Sequence, residues 1–246
     1  MLVHYSGELW ELDPVEVCPR PLPPARVHEL APPELAIFQD LSLDPQEIRE
    51  FLAQRDLALL VVRNATTRDA LDRQQPFNLR VPGGEQTLGA GGRIYDISAL
   101  QIFQADLIRG IGGLDDPAPG RRVLAQPMHD VTGNPPAPGA PAGSVAIAPD
   151  GSIAALVPAR RALAWQTVAP DRTPVVRERN WLTFQPGEIR ACDGCHGVND
   201  LNQAGEPPAS NPPEALRALL ESLADLPLFS DGFESGDTTR WSATVD

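Results

Sequence analysis

The sequence predicts a mainly β protein: a small antiparallel β-sandwich-like domain with a CxxCH loop and a C-terminal helix, preceded by an irregular β-rich segment with one short helix. Three observations carry that expectation. Prolines number 27 and glycines 20 in 246 residues, which favours short segments joined by turns over long helices. Beyond residue 143, short apolar runs alternate with turn signals in a strand-turn-strand rhythm. Helical periodicity is confined to two short stretches, and a 42% hydrophobic share is enough for at least one real core.

Taken in order, residues 1 to 17 alternate in the manner of a strand, and "PRPLPPARVHELAPPELA" reads as an extended proline-rich connector. In "LDPQEIREFLAQRD", Asp44 suits a helix cap, Pro45 the first helical position and Glu47 a capping box. Ile48, Phe51 and Leu52 form its apolar face. "LALLVVRN" (57 to 64) is a buried strand, and "PGGEQTLGAGGRIYDI" is a loop entering another strand. The GxGG at 89 to 92 resembles a phosphate cradle only superficially, because no helix follows whose N-terminus would face an anion.

Residues 94 to 113 carry mixed apolar spacing before "DDPAPG" breaks the chain, and "NPPAPGAPAG" (134 to 143) is a stronger, polyproline-like break. The expected division is therefore a β-rich, irregular segment over 1–133, a small β domain with the Cys motif and a helix over 134–226, and an acidic, disordered tail over 227–246. In the second unit "GSVAIAP", "GSIAALVPA", "RALAWQTVA", "TPVVRERN" and "WLTFQPGE" are strand candidates, with a turn at Pro-Asp-Gly 149 to 151. "SNPPEALRALLESLAD" is the clearest helix, with Asn211 as its expected cap and Leu216, Leu219, Leu220 and Leu223 as its stripe. That stripe serves either core packing or the shielding of one face of a cofactor.

The formal net charge is −13 and all 20 basic residues are arginines. This balance repels phosphate backbones and anionic lipid, which argues against nucleic acid and membrane surfaces as partners. No apolar run approaches the roughly 20 residues needed to span a bilayer. "MLVHYSGELWELDPVEV" has no basic n-region or apolar h-region, so it does not read as a signal peptide.

"RACDGCHGVND" (190 to 200) carries the chemistry. Two thiols three positions apart, followed at once by an imidazole, suit a covalently attached haem, a zinc ion or a redox-active disulfide. In a c-type haem site Cys192 and Cys195 would add to the two vinyl groups, His196 would ligate the iron, and Gly194 would ease the turn. Zinc needs four ligands, and the remainder would come from Cys18, His4, His28 or His129, which are scattered. A thiol-disulfide enzyme would open a helix in a βαβ pattern, which is absent, and a plain structural disulfide is the remaining alternative. Haem is the leading expectation. His129 is the favoured sixth ligand, Met128 the alternative, and an open, catalytic distal face a third arrangement. Arg190 is a candidate partner for a propionate. Cys18 has no assigned role.

From "GRRVLAQPMHD" through "RNWLTFQPGEIRACDGCHG", over residues 121 to 200, the chain resembles bacterial proteins related to the hydrazine synthase alpha subunit. "GELWELDPVEV" and the helix at 212 to 223 share the likeness more loosely. The resemblance implies that Cys192 and Cys195 carry a haem ligated by His196, and that the first segment ends a propeller-like region of a longer polypeptide. The upstream propeller and a second haem site are missing, so hydrazine formation is not implied. The expectation is an electron-transfer module with covalent haem c and an unidentified redox partner, the alternative being a non-redox domain with a Cys192–Cys195 disulfide or zinc. Thioether attachment takes place outside the cytoplasm, which implies a periplasmic or other extracytoplasmic setting and an export signal upstream. The tail "LFSDGFESGDTTRWS" is similar to short segments of exported proteobacterial proteins. Its Asp231, Glu234 and Asp237 lack EF-hand spacing for calcium.

Overall fold

A computed structural model of the chain describes residues 29–72, 78–89, 91–111, 118–129 and 133–224. The expected first strand, His4, Cys18, His28 and the acidic tail lie outside these residues. In chain order the described elements are α1 (Pro32–Asp40), α2 (Pro45–Gln54), β1 (Leu57–Asn64), β2 (Asn78–Arg80), β3 (Gln86–Thr87), β4 (Ile94–Asp96), β5 (Ala99–Ile111), β6 (Ala118–Pro127), β7 (Ser144–Ala146), β8 (Ile153–Pro158), β9 (Ala162–Val168), β10 (Pro174–Arg177), β11 (Leu182–Thr183), β12 (Ile189–Gly194) and α3 (Glu214–Ala224). The mainly β expectation holds, with helix α3 following the strands.

The organising element is β1. Its unbroken apolar run is the mark of a strand buried on both faces. It lies between β8, to which it is antiparallel, and β12, to which it is parallel. Alternation then divides its side chains between two cores. Ala58, Leu60 and Val62 join one cluster with Ile153, Ala155 and Val157 of β8. Leu59 and Val61 join the other with Ala154, Leu156 and Ile189.

The second cluster is closed by the helices. Ile37 and Phe38 of α1, Ile48 and Leu52 of α2, and Leu216, Leu219, Leu220 and Leu223 of α3 all pack there. The α3 leucines are at most 2% exposed, so each contributes on the order of 1.5–3 kcal/mol by area. The stripe is therefore core packing, on the face of the sheet away from Cys192. In α2, Asp44 Oδ1 accepts from Gln46 N at 2.8 Å, as the sequence predicts. Helix α1 replaces the end of the expected connector: prolines 32 and 33 open a helix as readily as they extend a chain, and Ile37 and Phe38 give that helix a face to bury.

The cap of α3 also differs from expectation. Asn211 Nδ2 donates to Arg63 O and Asp150 Oδ2, while the helix's first N–H groups go to the 149–151 turn region. Glu214 N donates to Asp150 Oδ2 at 3.0 Å and Ala215 N to Ser152 Oγ at 2.9 Å. The cap is thus supplied from elsewhere in the chain, by side chains that do the same job as a local one. Gly151 must be glycine: its φ is +79°, and a Cβ there would sit 2.5 Å from Asn64 Oδ1.

The first cluster lies between this sheet and a six-stranded antiparallel one ordered β10-β9-β5-β6, with β7 pairing β5 and β11 pairing β9. A third sheet, β3-β2-β4, is small. Both larger sheets draw strands from either side of the linker at 134: β1 pairs with β8 and β12, and β5 pairs with β7 and β9. The linker itself is anchored, since the Asn134 side chain exchanges hydrogen bonds with Leu156 N and O at 2.7 and 2.8 Å. No helix among the described residues is long and apolar enough to cross a membrane.

Candidate functional site

Strand β12 carries the motif. Cys192 pairs in register with Val62 of β1, so its side chain falls on the side of the first core, against which both Cys192 and Cys195 pack. Gly194 pairs with Asn64, and at the end of the strand the chain meets the loop that follows β1. A Cβ on Gly194 would lie 2.3 Å from Thr67 Oγ1, so only glycine permits this approach. Cys195 N then donates to Thr67 O at 3.0 Å.

His196 follows in the left-handed region, at φ +71°, and Gly197 repeats the conformation at +51°. Such a backbone is uncommon for a residue with a Cβ and clusters at functional turns. Beyond it the chain is held to 66–69 by further bonds. Asn199 N donates to Asp69 Oδ2 at 2.8 Å, Gln203 Oε1 accepts from Arg68 N at 2.8 Å, and Gln203 Nε2 donates to Thr66 O at 3.1 Å. Asp69 accepts a second backbone N–H from Leu71, and these bonds hold its carboxyl below the ordinary range.

Between this turn and the six-stranded sheet lies a cleft of about 450 Å³. Leu100, Ile153, Trp165, Val176 and Leu182 give it apolar walls, and the turn from Ala191 to Asn199 forms another side that includes both thiols and His196. Glu178 also lines it, with Oε1 accepting from Arg179 N and Asn180 N at 2.7 and 2.8 Å. Both cysteines are free thiols. Burial pushes the Cys195 thiol up to about 12, with Cys192 and Glu178 adding to the effect. Burial also raises Cys192, against the opposing pull of Arg190 and Arg63. Neither is the activated, low-pKa thiol of a disulfide-exchange enzyme.

The opposite side of β12 is fixed by an ion pair that the sequence does not disclose. Arg63 Nε and Nη2 reach Glu34 Oε1 and Oε2 at 2.7 and 2.8 Å, a bidentate pair with Glu34 fully buried. Nη1 of the same guanidinium donates to Asp193, the residue after the first motif cysteine, and to Ala209 O at 3.1 Å. The Glu34 hydrogen bond is the largest influence on Arg63 and raises its pKa against the effect of burial.

The other expected site residues lie elsewhere. Met128 is 5% exposed within the first core. His129 is 72% exposed at its side chain, with Nε2 3.6 Å from Asp106 Oδ2. Neither lines the cleft. Arg190 donates to Glu188 Oε1 and Thr183 O and stacks 4.2 Å from the Phe184 ring centroid, so its donors are already engaged. Among the described residues, no group of three or more His, Cys, Asp and Glu side chains converges to hold a metal ion. Gly89, from the glycine-rich loop, packs against the chain after the motif: a Cβ there would sit 1.8 Å from Gln203 O. Glu178, Trp165 and Thr67 were not singled out from the sequence, and their separation from the motif along the chain hides them.

This geometry defines a mainly β domain with a CxxCH turn set in the wall of an apolar cleft. Residues 133–197 match the family described as hydrazine synthase alpha subunit middle domain, a segment that ends one residue after His196. No curated protein matches the chain. Among solved structures, hydrazine synthase of Kuenenia stuttgartiensis aligns with 64% of this chain at 15% identity and a TM-score of 0.35. The alignment spans 20% of that protein's chain, and at this level of likeness the chemistry of the present chain rests on its own residues.

Proposed function

We propose that the cleft holds a c-type haem bonded through Cys192 and Cys195, with His196 as axial residue, and that the chain is an extracytoplasmic electron-transfer module of a longer hydrazine synthase alpha-like polypeptide. One observation carries this reading: the two thiols and the imidazole of a CxxCH motif line an apolar cleft of about 450 Å³, within the range of about 300–1,000 Å³ usual for small-molecule sites. The donor set fits the group. Two neutral thiols suit thioether formation, and the apolar walls suit a porphyrin's faces. The match over 133–197 supports the family side of the reading.

When bound, the haem would supply reversible one-electron transfer. The chain's own residues do the rest. The bonds from Cys195 N to Thr67 O and from Asn199 N to Asp69 hold the attachment turn in place. Trp165, Leu100 and Val176 keep water from the cleft wall, and burial of this kind is one of the means by which proteins tune a potential. A sixth ligand from Met128 or His129 would have to approach from outside the present lining. Arg190 is a propionate partner only if it leaves Glu188.

Expression with export and haem-maturation machinery tests the proposal. The expected product is red, with a thioether haem spectrum and a mass increase of one haem that disappears in the double variant Cys192→Ala/Cys195→Ala. Colourless protein of unmodified mass from the same host would support a non-redox domain with a Cys192–Cys195 disulfide or zinc instead.

A further inference from the structure

Four large apolar side chains are exposed among the described residues: Leu71 at 78%, Leu88 at 48%, Leu201 at 47% and Trp181 at 44%. Three of them sit on loops that are tied to one another. Ala70 N donates to Leu201 O at 3.0 Å, and Asp69 forms a bridge with Asn202, which sets Leu71 and Leu201 on neighbouring loops. Gly89, next to Leu88, is packed directly on Gln203. Loop 66–72 also holds the motif turn, through Thr67 and Asp69. The backbones of these loops are fixed by hydrogen bonds, which makes the surface preorganised.

The surroundings are acidic. Segments 66–72 and 193–206 contain Asp69, Asp72, Asp193, Asp200 and Glu206 against a single arginine, Arg68, which is 5% exposed. Asp69 is turned onto backbone amides and Asp193 onto Arg63, while Asp200 and Glu206 are exposed. Apolar side chains on loops that also present the exposed carboxylates of Asp200 and Glu206 attract a partner with the inverse pattern.

We infer that the rim formed by Leu71, Leu88 and Leu201 is the docking surface for a basic electron-carrier protein, whose own apolar centre seats beside the Cys192–His196 turn. The electron-carrier part rests on the haem reading; the docking part does not. A lysine-rich c-type cytochrome of positive net charge serves as probe, titrated calorimetrically into the full chain at low ionic strength. Leu71→Ser/Leu201→Ser leaves the charge unchanged and is expected to weaken binding about tenfold or more, with the thermal midpoint preserved. Asp200→Asn/Glu206→Gln is expected to weaken it at low salt only, the difference vanishing as screening increases. With haem in place, electron exchange with the probe slows in parallel.

Absence of binding by the wild type, or equal binding by the leucine variant, overturns the inference. So does a wild-type dimer that the leucine variant dissolves, since the surface then belongs to a second copy. A chain that acquires no haem yet binds the probe through its leucines defeats the haem reading and leaves the docking surface standing.

Discussion

The two faces of the β12-β1-β8 sheet are finished by different means. On one, three amphipathic helices close over Leu59, Val61, Leu156 and Ile189, and the leucines of α3 fill the layer to 0–2% exposure. On the other, the opposing sheet and the 191–199 turn leave an apolar cleft of about 450 Å³ unfilled. The first face spends its side chains on stability; the second holds space open, with thiols and an imidazole on its border. A sheet with one dry, helix-packed face provides the rigid floor that a precisely held turn on the other face requires. Arg63 connects the two, its guanidinium on the helix side gripping both Glu34 of α1 and Asp193 of the motif.

That contrast can be broken most severely at the connection. Arg63→Ala leaves Glu34 buried and unpaired, and a loss of about 3–5 kcal/mol is expected, read by urea unfolding. A loss under about 1 kcal/mol would show that the pair does not tie the faces together. Next in size is Leu219→Ala on the helix face, expected to cost about 2–5 kcal/mol as a cavity opens in a packed layer. Val176→Ala is expected to cost less than this, because its side chain borders open space, and calorimetric midpoints of the two variants compare the faces directly.

A smaller, pH-dependent difference belongs to the cleft face alone. Burial pushes the Cys195 thiol up to about 12, above the 9.0 usual for a free thiol. Below 9.0 the thiol is protonated folded or unfolded, and its contribution to stability is fully present. Between 9.0 and about 12 only the unfolded chain has released the proton, so stability falls as pH rises. Urea midpoints measured across that window should decline in the wild type and decline less in Cys195→Ala. Ser152→Ala removes an acceptor from the first turn of α3 and is expected to cost about 0.5–2 kcal/mol, detected as a lowered midpoint with an unchanged cleft. Smallest is His129→Ala, whose exposed imidazole should change stability by less than about 0.5 kcal/mol. Were the protein to carry the proposed haem, this variant should leave the spectrum of the reduced state unchanged, and a shift to high spin would point to His129 as an axial ligand.

What could be read from the chain followed the range of the interaction responsible. The helix faces of α2 and α3, the Asp44 cap and the Pro-Asp-Gly turn depend on residues a few positions apart, and periodicity and turn chemistry expose them. The burial of β1 was visible in its composition. The cap of α3 was not, because Asp150 and Ser152 sit 64 and 63 residues before the N–H groups they accept from. The same holds for the site. The thiols and His196 announced themselves by spacing, whereas Glu178, Trp165 and Thr67 joined them only through sheet register and loop contact. Helix α1 was hidden for another reason: prolines at its start carry the same local signal as an extended connector. The linker at 134–143 separates stretches of chain without separating sheets, and no local signal shows which strands will pair across it.

The parallel partnership of β1 and β12 joins residues as far apart as Arg63 and Asp193, 130 positions along the chain. Contacts of such long sequence range are slow to form. The first of these strands therefore gains its parallel neighbour only once the chain 130 positions further on has folded back to it. The two thiols are accordingly most accessible before β12 pairs with β1 and the turn closes against Thr67.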